Sequence, residues 1–380
     1  MGLPKEWVSL PFTRAAVRVR SSGTRVKATD YKPVGKIPIV DQGQKLVVGF
    51  TDDESAKFQG PLPIIVFGDH TRAVKYVDFD FAVGAEGTVL LRPDSAIEPR
   101  FFYYWLRSAP LHNLGYSRHY KLLAEQLISF PKDRMEQRRL LTRIEALDTG
   151  VQELRDLNAS LFEDATGLLA AEYDRIREDA PTCPFGEVAK LVRRRVEVHL
   201  DESYGELGIY SFGKGTFHKP ALTGRQLGNK RVFRIHNHDL VFMNVFAWEG
   251  AIAVAKPEDS GRVGSHRFMT YDVLPNRATP EFLCHHFLTD FGLEQIRAAS
   301  PGSAGRNRTL GIAKLEAIAV PVPSIESQRR FSLLYAMREK LRLLQAETDV
   351  ELAAFTPALL AETFRQPGDR EGTTGSDGGQ

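Results

Sequence analysis

The sequence predicts an α+β protein: two strand-rich globular units, each followed by a long helix, the two helices pairing as an antiparallel coiled coil with pseudo-twofold symmetry. Three observations carry this prediction. Gln137-Arg138-Arg139 recurs as Gln328-Arg329-Arg330, and at the same offset Leu161 recurs as Leu352 and Leu168-Leu169-Ala170 as Leu359-Leu360-Ala361, so a long segment is copied once without insertion. Within the first copy Leu140, Ile144, Leu147, Val151, Leu154, Leu161, Ala165 and Leu168 keep an alternating four-three spacing, the mark of a coiled-coil seam. Ahead of each copy the chain is a series of short apolar runs broken by turn residues, the pattern of strands.

These signals divide the chain into a first globular unit at 1–131, a long helix at 132–180, a second globular unit at 181–323, a C-terminal long helix at 324–366 and a disordered tail at 367–380. The 380 residues suffice for two cores. A formal charge of +2 and a pI near 8.4 mean that a nucleic-acid partner must be met by local basic patches, not a general basic excess. Cys183 and Cys284 are too few for a disulfide framework or a structural zinc site, which points to a reducing, cytoplasmic setting. No apolar run approaches the ~18 residues needed to span a bilayer, so no membrane partner is expected.

In the first unit, Val17-Arg18-Val19-Arg20 and Ile37-Pro38-Ile39-Val40 read as strands in a region rich in Arg14, Arg18, Arg20, Arg25, Lys27, Lys32 and Lys36. Such residues hold phosphates in a basic groove or coat ordinary solvated strands, and the sequence favours neither. Ile64-Ile65-Val66-Phe67 is a buried-strand run ending in Gly68-Asp69-His70-Thr71-Arg72, a candidate working loop. Phe101 to Arg107 reads as a short helix whose rings belong to the core. Tyr116-Ser117-Arg118-His119-Tyr120-Lys121 is a basic aromatic loop.

The first long helix would span roughly 60 Å at its rise per residue, a length suited to a spacer. Asn158 takes a seam position where a lone polar residue sets register, and Gly150 costs about 1 kcal/mol relative to Ala. The second copy is less regular: Leu334, Met337, Leu341 and Leu344, a polar Thr348, then Leu352, Phe355 and Leu359. Pro357 predicts a bend, with Thr356 as N-cap of a restarted helix. Two amphipathic helices on unrelated domains would show the same spacing; the repeat argues against that reading.

The second unit retraces the first. Leu240-Val241-Phe242-Met243-Asn244 takes the place of Ile64 to Gly68, Thr279-Pro280 opens a helix as Pro99 did, and Arg306-Asn307-Arg308-Thr309-Leu310 matches Arg118 to Leu122. Gly208 to Gly215 imitates a phosphate-binding loop, but Gly215 stands where a Ser or Thr must ligate magnesium. A nuclease needs two carboxylates and a lysine, and Glu86 is followed by Gly87-Thr88. No catalytic constellation emerges. Two similar units joined by a helical ruler suit a duplex with two half-sites at a defined gap, unequal because the loops differ.

The run Ile65 to Arg72, the Glu136-Gln137-Arg138-Arg139 helix entry with its echo at Gln328-Arg329-Arg330, and the Leu-Leu-Ala near each helix end resemble the specificity subunits of type I restriction-modification enzymes, over about residues 5 to 365. The second entry departs from the first in reading Glu326-Ser327-Gln328. The resemblance implies two target recognition domains on a paired-helix spacer, a subunit that catalyses nothing, and an asymmetric bipartite double-stranded DNA target methylated at adenine. It implies two methyltransferase subunits as partners, restriction subunits reached through them, and S-adenosylmethionine, ATP and Mg²⁺ held by those partners. Loop position and chemistry nominate Thr71, Arg72, Arg118, Tyr120 and Lys121, then Lys214, Arg225, Asn244, Arg306, Asn307 and Arg308, as DNA contacts. The expected spacer and subunit interface comprises Gln137, Leu140, Ile144, Leu147, Val151, Leu154, Asn158 and Leu161 with Gln328, Leu334, Met337, Leu341 and Leu344. The competing readings are a coiled-coil scaffold without a DNA role and a metal-dependent nuclease using Asp69 and Asp78.

Overall fold

A computed structural model describes residues 7–364 apart from 22, 85–86, 113–114, 116 and 303–307. The chain divides into two compact units, Met1–Leu157 with Glu347–Gln380 (unit 1) and Asn158–Ala346 (unit 2). The division falls inside both long helices, because each half-helix packs onto one globular body.

Unit 1 runs through β1 (Trp7–Pro11), the single turn α1 (Phe12–Ala15), β2 (Ala16–Val19), β3 (Ile37–Val40), β4 (Gly49–Thr51), β5 (Ile64–Gly68), β6 (Val74–Val77), β7 (Ala82–Val83) and β8 (Thr88–Pro93). The helices α2 (Pro99–Ser108) and α3 (Tyr120–Ala124) and the strand β9 (Leu127–Pro131) complete it, and the chain then enters α4 (Arg134–Arg177). The main sheet is antiparallel in the order β2-β8-β5-β6, and β1 pairs with β9. Strand alternation sends Ile65 and Phe67 of β5 into the core beneath Phe101, Phe102 and Trp105 of α2, and Ile64 and Val66 into a second cluster with Phe81 and Val83. With both faces covered, β5 is apolar throughout, as its sequence predicts.

Unit 2 contains β10 (Thr182–Pro184), β11 (Ala189–Val192), β12 (Ser203–Tyr204), β13 (Leu207–Ile209), β14 (Thr216–His218), β15 (Leu222–Thr223), α5 (Gly224–Leu227) and β16 (Val232–Arg234). It continues with β17 (Leu240–Met243), β18 (Ile252–Val254), β19 (Val263–Ser265), β20 (Phe268–Val273), α6 (Pro280–Leu288), α7 (Asp290–Ala298), α8 (Ile312–Glu316) and β21 (Ala319–Pro321), leading into α9 (Ile325–Thr363). Its main sheet, β11-β20-β17-β18, repeats the order of unit 1, and β10 pairs with β21 as β1 does with β9. Register corrects the sequence alignment by one residue. Ala16 faces Pro93 and Ala189 faces Val273, so Leu91 corresponds to Tyr271, and Leu240, opposite Tyr271, corresponds to Ile65, opposite Leu91. Asn244 is therefore the counterpart of Asp69, not of Gly68.

Each helix entry is held by a buried glutamine. Gln137 Oε1 accepts from Glu98 N at 2.8 Å while Nε2 donates to Ala96 O and Pro131 O, both at 2.8 Å. Gln328 does the same for Thr279 N (3.0 Å), Arg277 O (3.2 Å) and Pro323 O (2.9 Å). Thr279 is the N-cap of α6 by position, yet its side chain makes no capping bond; the glutamine serves its backbone N–H instead.

Within unit 1, Leu141 and Ile144 of α4 share a core with Leu360 and Phe364 of α9, and Thr356 Oγ1 donates to Asp148 Oδ1 at 3.1 Å. Within unit 2, Leu169, Tyr173 and Ile176 of α4 pack with Phe331, Leu334 and Tyr335 of α9. In unit 1 the order of these contacts makes the two helices antiparallel. Their buried stripe differs from the spacing read in the sequence. Ile144, Val151, Asn158 and Ala165 lie on it, but alternate positions are Leu141, Asp148, Arg155, Phe162 and Leu169, one residue after the predicted leucines. Leu147, Leu154 and Leu161 remain 39%, 53% and 48% exposed, because polar Asp148 and Arg155 occupy the inward positions and disguise the stripe. The helix α9 runs unbroken through Pro357, so the restart at Thr356 does not occur: that hydroxyl binds Asp148, and buried Leu360 and Phe364 hold the last turns in place.

Candidate nucleic-acid interface

In unit 1 the loop after β5 is organised by Asp69, which is 8% exposed. Its Oδ1 accepts from Tyr120 N at 2.8 Å and its backbone O accepts from His119 N at 2.8 Å, fixing the start of α3. That helix start carries three nominated residues. Arg118 and Lys121 are exposed, while the Tyr120 ring meets Phe12 edge-on at 6.0 Å and lies under the Arg18 guanidinium at 5.7 Å. A basic and aromatic surface results, with Arg18 arriving from a different strand. Thr71 and Arg72 do something else. Thr71 Oγ1 donates to Gln42 O, and Arg72, in a left-handed backbone conformation (φ 59°), donates from Nη1 to Leu111 O at 3.0 Å. Both side chains are bonded to backbone carbonyls and shape the loop. Of the two carboxylates in the nuclease reading, Asp69 accepts from Tyr120 N through Oδ1, and Asp78 lies 3.8 Å from the Arg100 guanidinium.

In unit 2 the counterpart Asn244 accepts from Leu310 N at 2.9 Å through its backbone O and donates from N to Arg267 O at 3.0 Å. Since His119 and Leu310 bond to equivalent carbonyls, Leu310 corresponds to His119, not to Leu122 as the sequence suggests. Arg308, two residues earlier, places its guanidinium 5.2 Å from the centre of the Trp248 ring, a cation-π contact, and Trp248 Nε1 donates to Val245 O at 3.1 Å. Lys214 occupies the β13–β14 turn, whose Phe212 N and Gly213 N bond to Glu249 O (2.8 Å) and Gly250 O (2.9 Å) beside Trp248. That turn joins two antiparallel strands with no helix after it, unlike a phosphate-binding loop. Arg225 belongs to α5 and pairs with Asp201 at 3.0 Å, both side chains largely exposed. Arg306 and Asn307 lie outside the described residues.

The nominations omit Arg193-Arg194-Arg195, although the run is visible in the sequence. Arg194 forms a two-pronged pair with nearly buried Asp239 at 2.6 and 3.1 Å, whereas Arg193 and Arg195 are exposed.

No family model matches the chain. The EcoR124I/EcoR124II type I restriction enzyme specificity subunit of Escherichia coli is 30% identical over 112 residues, which make up 29% of this chain and 27% of that relative. Solved structures match along almost the whole length. A type I restriction-modification S subunit from M. genitalium is 15% identical with a TM-score of 0.56, covering 96% of this chain and 98% of its own. A chain from a study of type I restriction-modification complex assembly and conformational transition is 17% identical with a TM-score of 0.58, covering 96% and 99%. The HsdS subunit of Thermoanaerobacter tengcongensis is 17% identical with a TM-score of 0.50, covering 96% and 98%. The chain has the type I specificity-subunit fold.

The two strand-rich bodies of this chain carry unlike loops on like sheets: Asp69 with His119 and Tyr120 in one, Asn244 with Arg308 and Trp248 in the other, of which Tyr120, Asn244 and Arg308 are nominated contacts. The long helices present an apolar surface as well. Met337 is 63% exposed and Leu344 47%, alongside the exposed leucines of α4.

Proposed function

We propose that this chain is the DNA-recognition subunit of a type I restriction-modification system, with each unit a target recognition domain for one half of an asymmetric bipartite duplex site and α4 with α9 as the spacer. The observation that carries this reading is duplication with divergence: the same sheet order and the same glutamine bonds in both units, with different side chains in the loops that follow β5 and β17. A scaffold without a DNA role gains nothing from repeating a strand-rich domain with altered basic loops.

The chain itself contributes recognition rather than catalysis. Two methyltransferase subunits, with restriction subunits reached through them, would bring S-adenosylmethionine, ATP and Mg²⁺ to the site in the cytoplasm. Leu147, Leu154, Leu161, Met337, Leu341 and Leu344 supply exposed apolar surface of the kind that docks a partner. Methylome sequencing of a host carrying this chain with its methyltransferase partner tests the reading. A bipartite methylated-adenine motif that disappears with this gene is expected; methylation unaltered by its deletion would refute it. Magnesium-dependent cleavage by the purified chain alone would favour the nuclease.

A further inference from the structure

Each unit has an open cationic concavity lined by the chain that follows its first sheet strand. In unit 1 Arg18, Arg20 and Arg25 line an open concavity of about 680 Å³ floored by Thr88 and Leu90 of β8. In unit 2 Arg195, Lys230 and Arg231 line one of about 670 Å³, which Glu197 also borders. Both units also aim a guanidinium at one particular carbonyl. Arg25 Nη2 donates to Thr88 O at 2.8 Å, and Arg193 Nη1 donates to Phe268 O at 2.9 Å. Sheet register makes Thr88 and Phe268 equivalent, since Gly68 faces the one and Met243 the other. The arginines are not equivalent: Arg193 directly follows β11, whereas Arg25 lies several residues beyond β2. A guanidinium is thus kept on this carbonyl in both units, although different sequence positions supply it, and each unit has a cationic concavity nearby in its sequence.

Arg18, Arg20, Arg195, Lys230 and Arg231 are exposed, and none forms an ion pair among the described residues. Several cations converging on an open, polar concavity suit an anion that presents more than one oxygen. We propose that each concavity seats a phosphodiester of the duplex backbone, held by Arg18 and Arg20 in unit 1 and by Arg195, Lys230 and Arg231 in unit 2. The proposal rests on the DNA-recognition reading and deepens it, separating side chains that grip the backbone from those that read bases. In unit 1 the grip borders the reading loop, because Arg18 lies over the ring of Tyr120 beside Arg118.

The test is a salt series of fluorescence anisotropy on a labelled random-sequence duplex, using the full chain with its methyltransferase partner. At roughly 0.9 per phosphate contact, the slope of log affinity against log salt should fall by about 1 in R18Q/R20Q and by about 1 in R195Q/K230Q/R231Q, since each variant empties one seat. R18K/R20K should keep the wild-type slope, as should R139Q/R143Q, which removes as much charge as R18Q/R20Q from the exposed face of α4. Unchanged slopes in both clamp variants overturn the proposal and leave DNA recognition standing. A slope that falls as far in R139Q/R143Q also overturns it, since net charge then explains the effect. Absence of duplex binding by the wild-type complex removes the recognition reading and the clamps with it.

Discussion

Gln137 and Gln328 make the same three hydrogen bonds in their two units, each accepting from the residue that precedes a short helix and donating to one backbone carbonyl just before that helix and one just before the long helix. Both are 0% exposed. A primary amide is the one uncharged side chain with an acceptor and two donors at its tip, and every one of these is used.

Replacing either glutamine by alanine leaves a buried N–H and two carbonyls unserved, at about 1–3 kcal/mol for each unpaired group. Gln137→Ala is therefore expected to destabilise unit 1 by about 3 kcal/mol and Gln328→Ala unit 2 by a similar amount, read from urea unfolding midpoints. Gln→Glu should be no milder at neutral pH, because a carboxylate only accepts and would face two carbonyl oxygens.

Asp69→Ala should unfasten the start of α3. Loss of a charged acceptor for Tyr120 N costs about 1–2 kcal/mol and frees the segment carrying Arg118 and Lys121. Binding at the unit 1 half-site should weaken while the unit 2 half-site is unaffected, as competition with half-site duplexes would show. Equal loss at both half-sites would contradict this assignment.

Arg118→Ala and Arg308→Ala address the reading loops. Each should weaken specific binding, by about 1–3 kcal/mol if the arginine reads a guanine, and relax sequence preference in its own half-site only. Affinity and salt slope both unchanged would place these residues outside the interface.

His285 and His286 on α6 are pushed down to about 4 by burial against Tyr173, whose hydroxyl lies 2.7 Å from His286 Nδ1 and is itself pushed up to about 12 by burial. The folded chain keeps both rings neutral while the unfolded chain protonates them near 6.5. Unit 2 should therefore lose a few kcal/mol as pH falls from about 6.5 to about 4, with little further change from these groups below that. Thermal melts across this range should show the decline, and H285Q/H286Q should flatten it.

Removing one heptad from each of α4 and α9 should shorten the gap between methylated half-sites and leave each half-site sequence intact. A changed half-site sequence would show that the helices do more than measure distance.

The duplication, the succession of strands and the two long helices are legible in the sequence, because buried strands and helix entries must be written in local apolar runs and short polar signatures. Ile64 to Phe67, the Phe101 helix and the paired Gln-Arg entries are all of this kind. Which residues face inward along α4 was decided only in three dimensions. The helix takes its rotation from the domain and helix it packs against, so Asp148 and Arg155 lie half-buried on the inward stripe while Leu147 and Leu154 face out. The same holds for the loops. Thr71 and Arg72 carry the chemistry of DNA contacts but are bonded to Gln42 and Leu111, and Arg18 joins Tyr120 from a distant strand. A side chain's chemistry is local and can be read residue by residue; its partner is chosen by sheet register and packing between segments far apart in the chain.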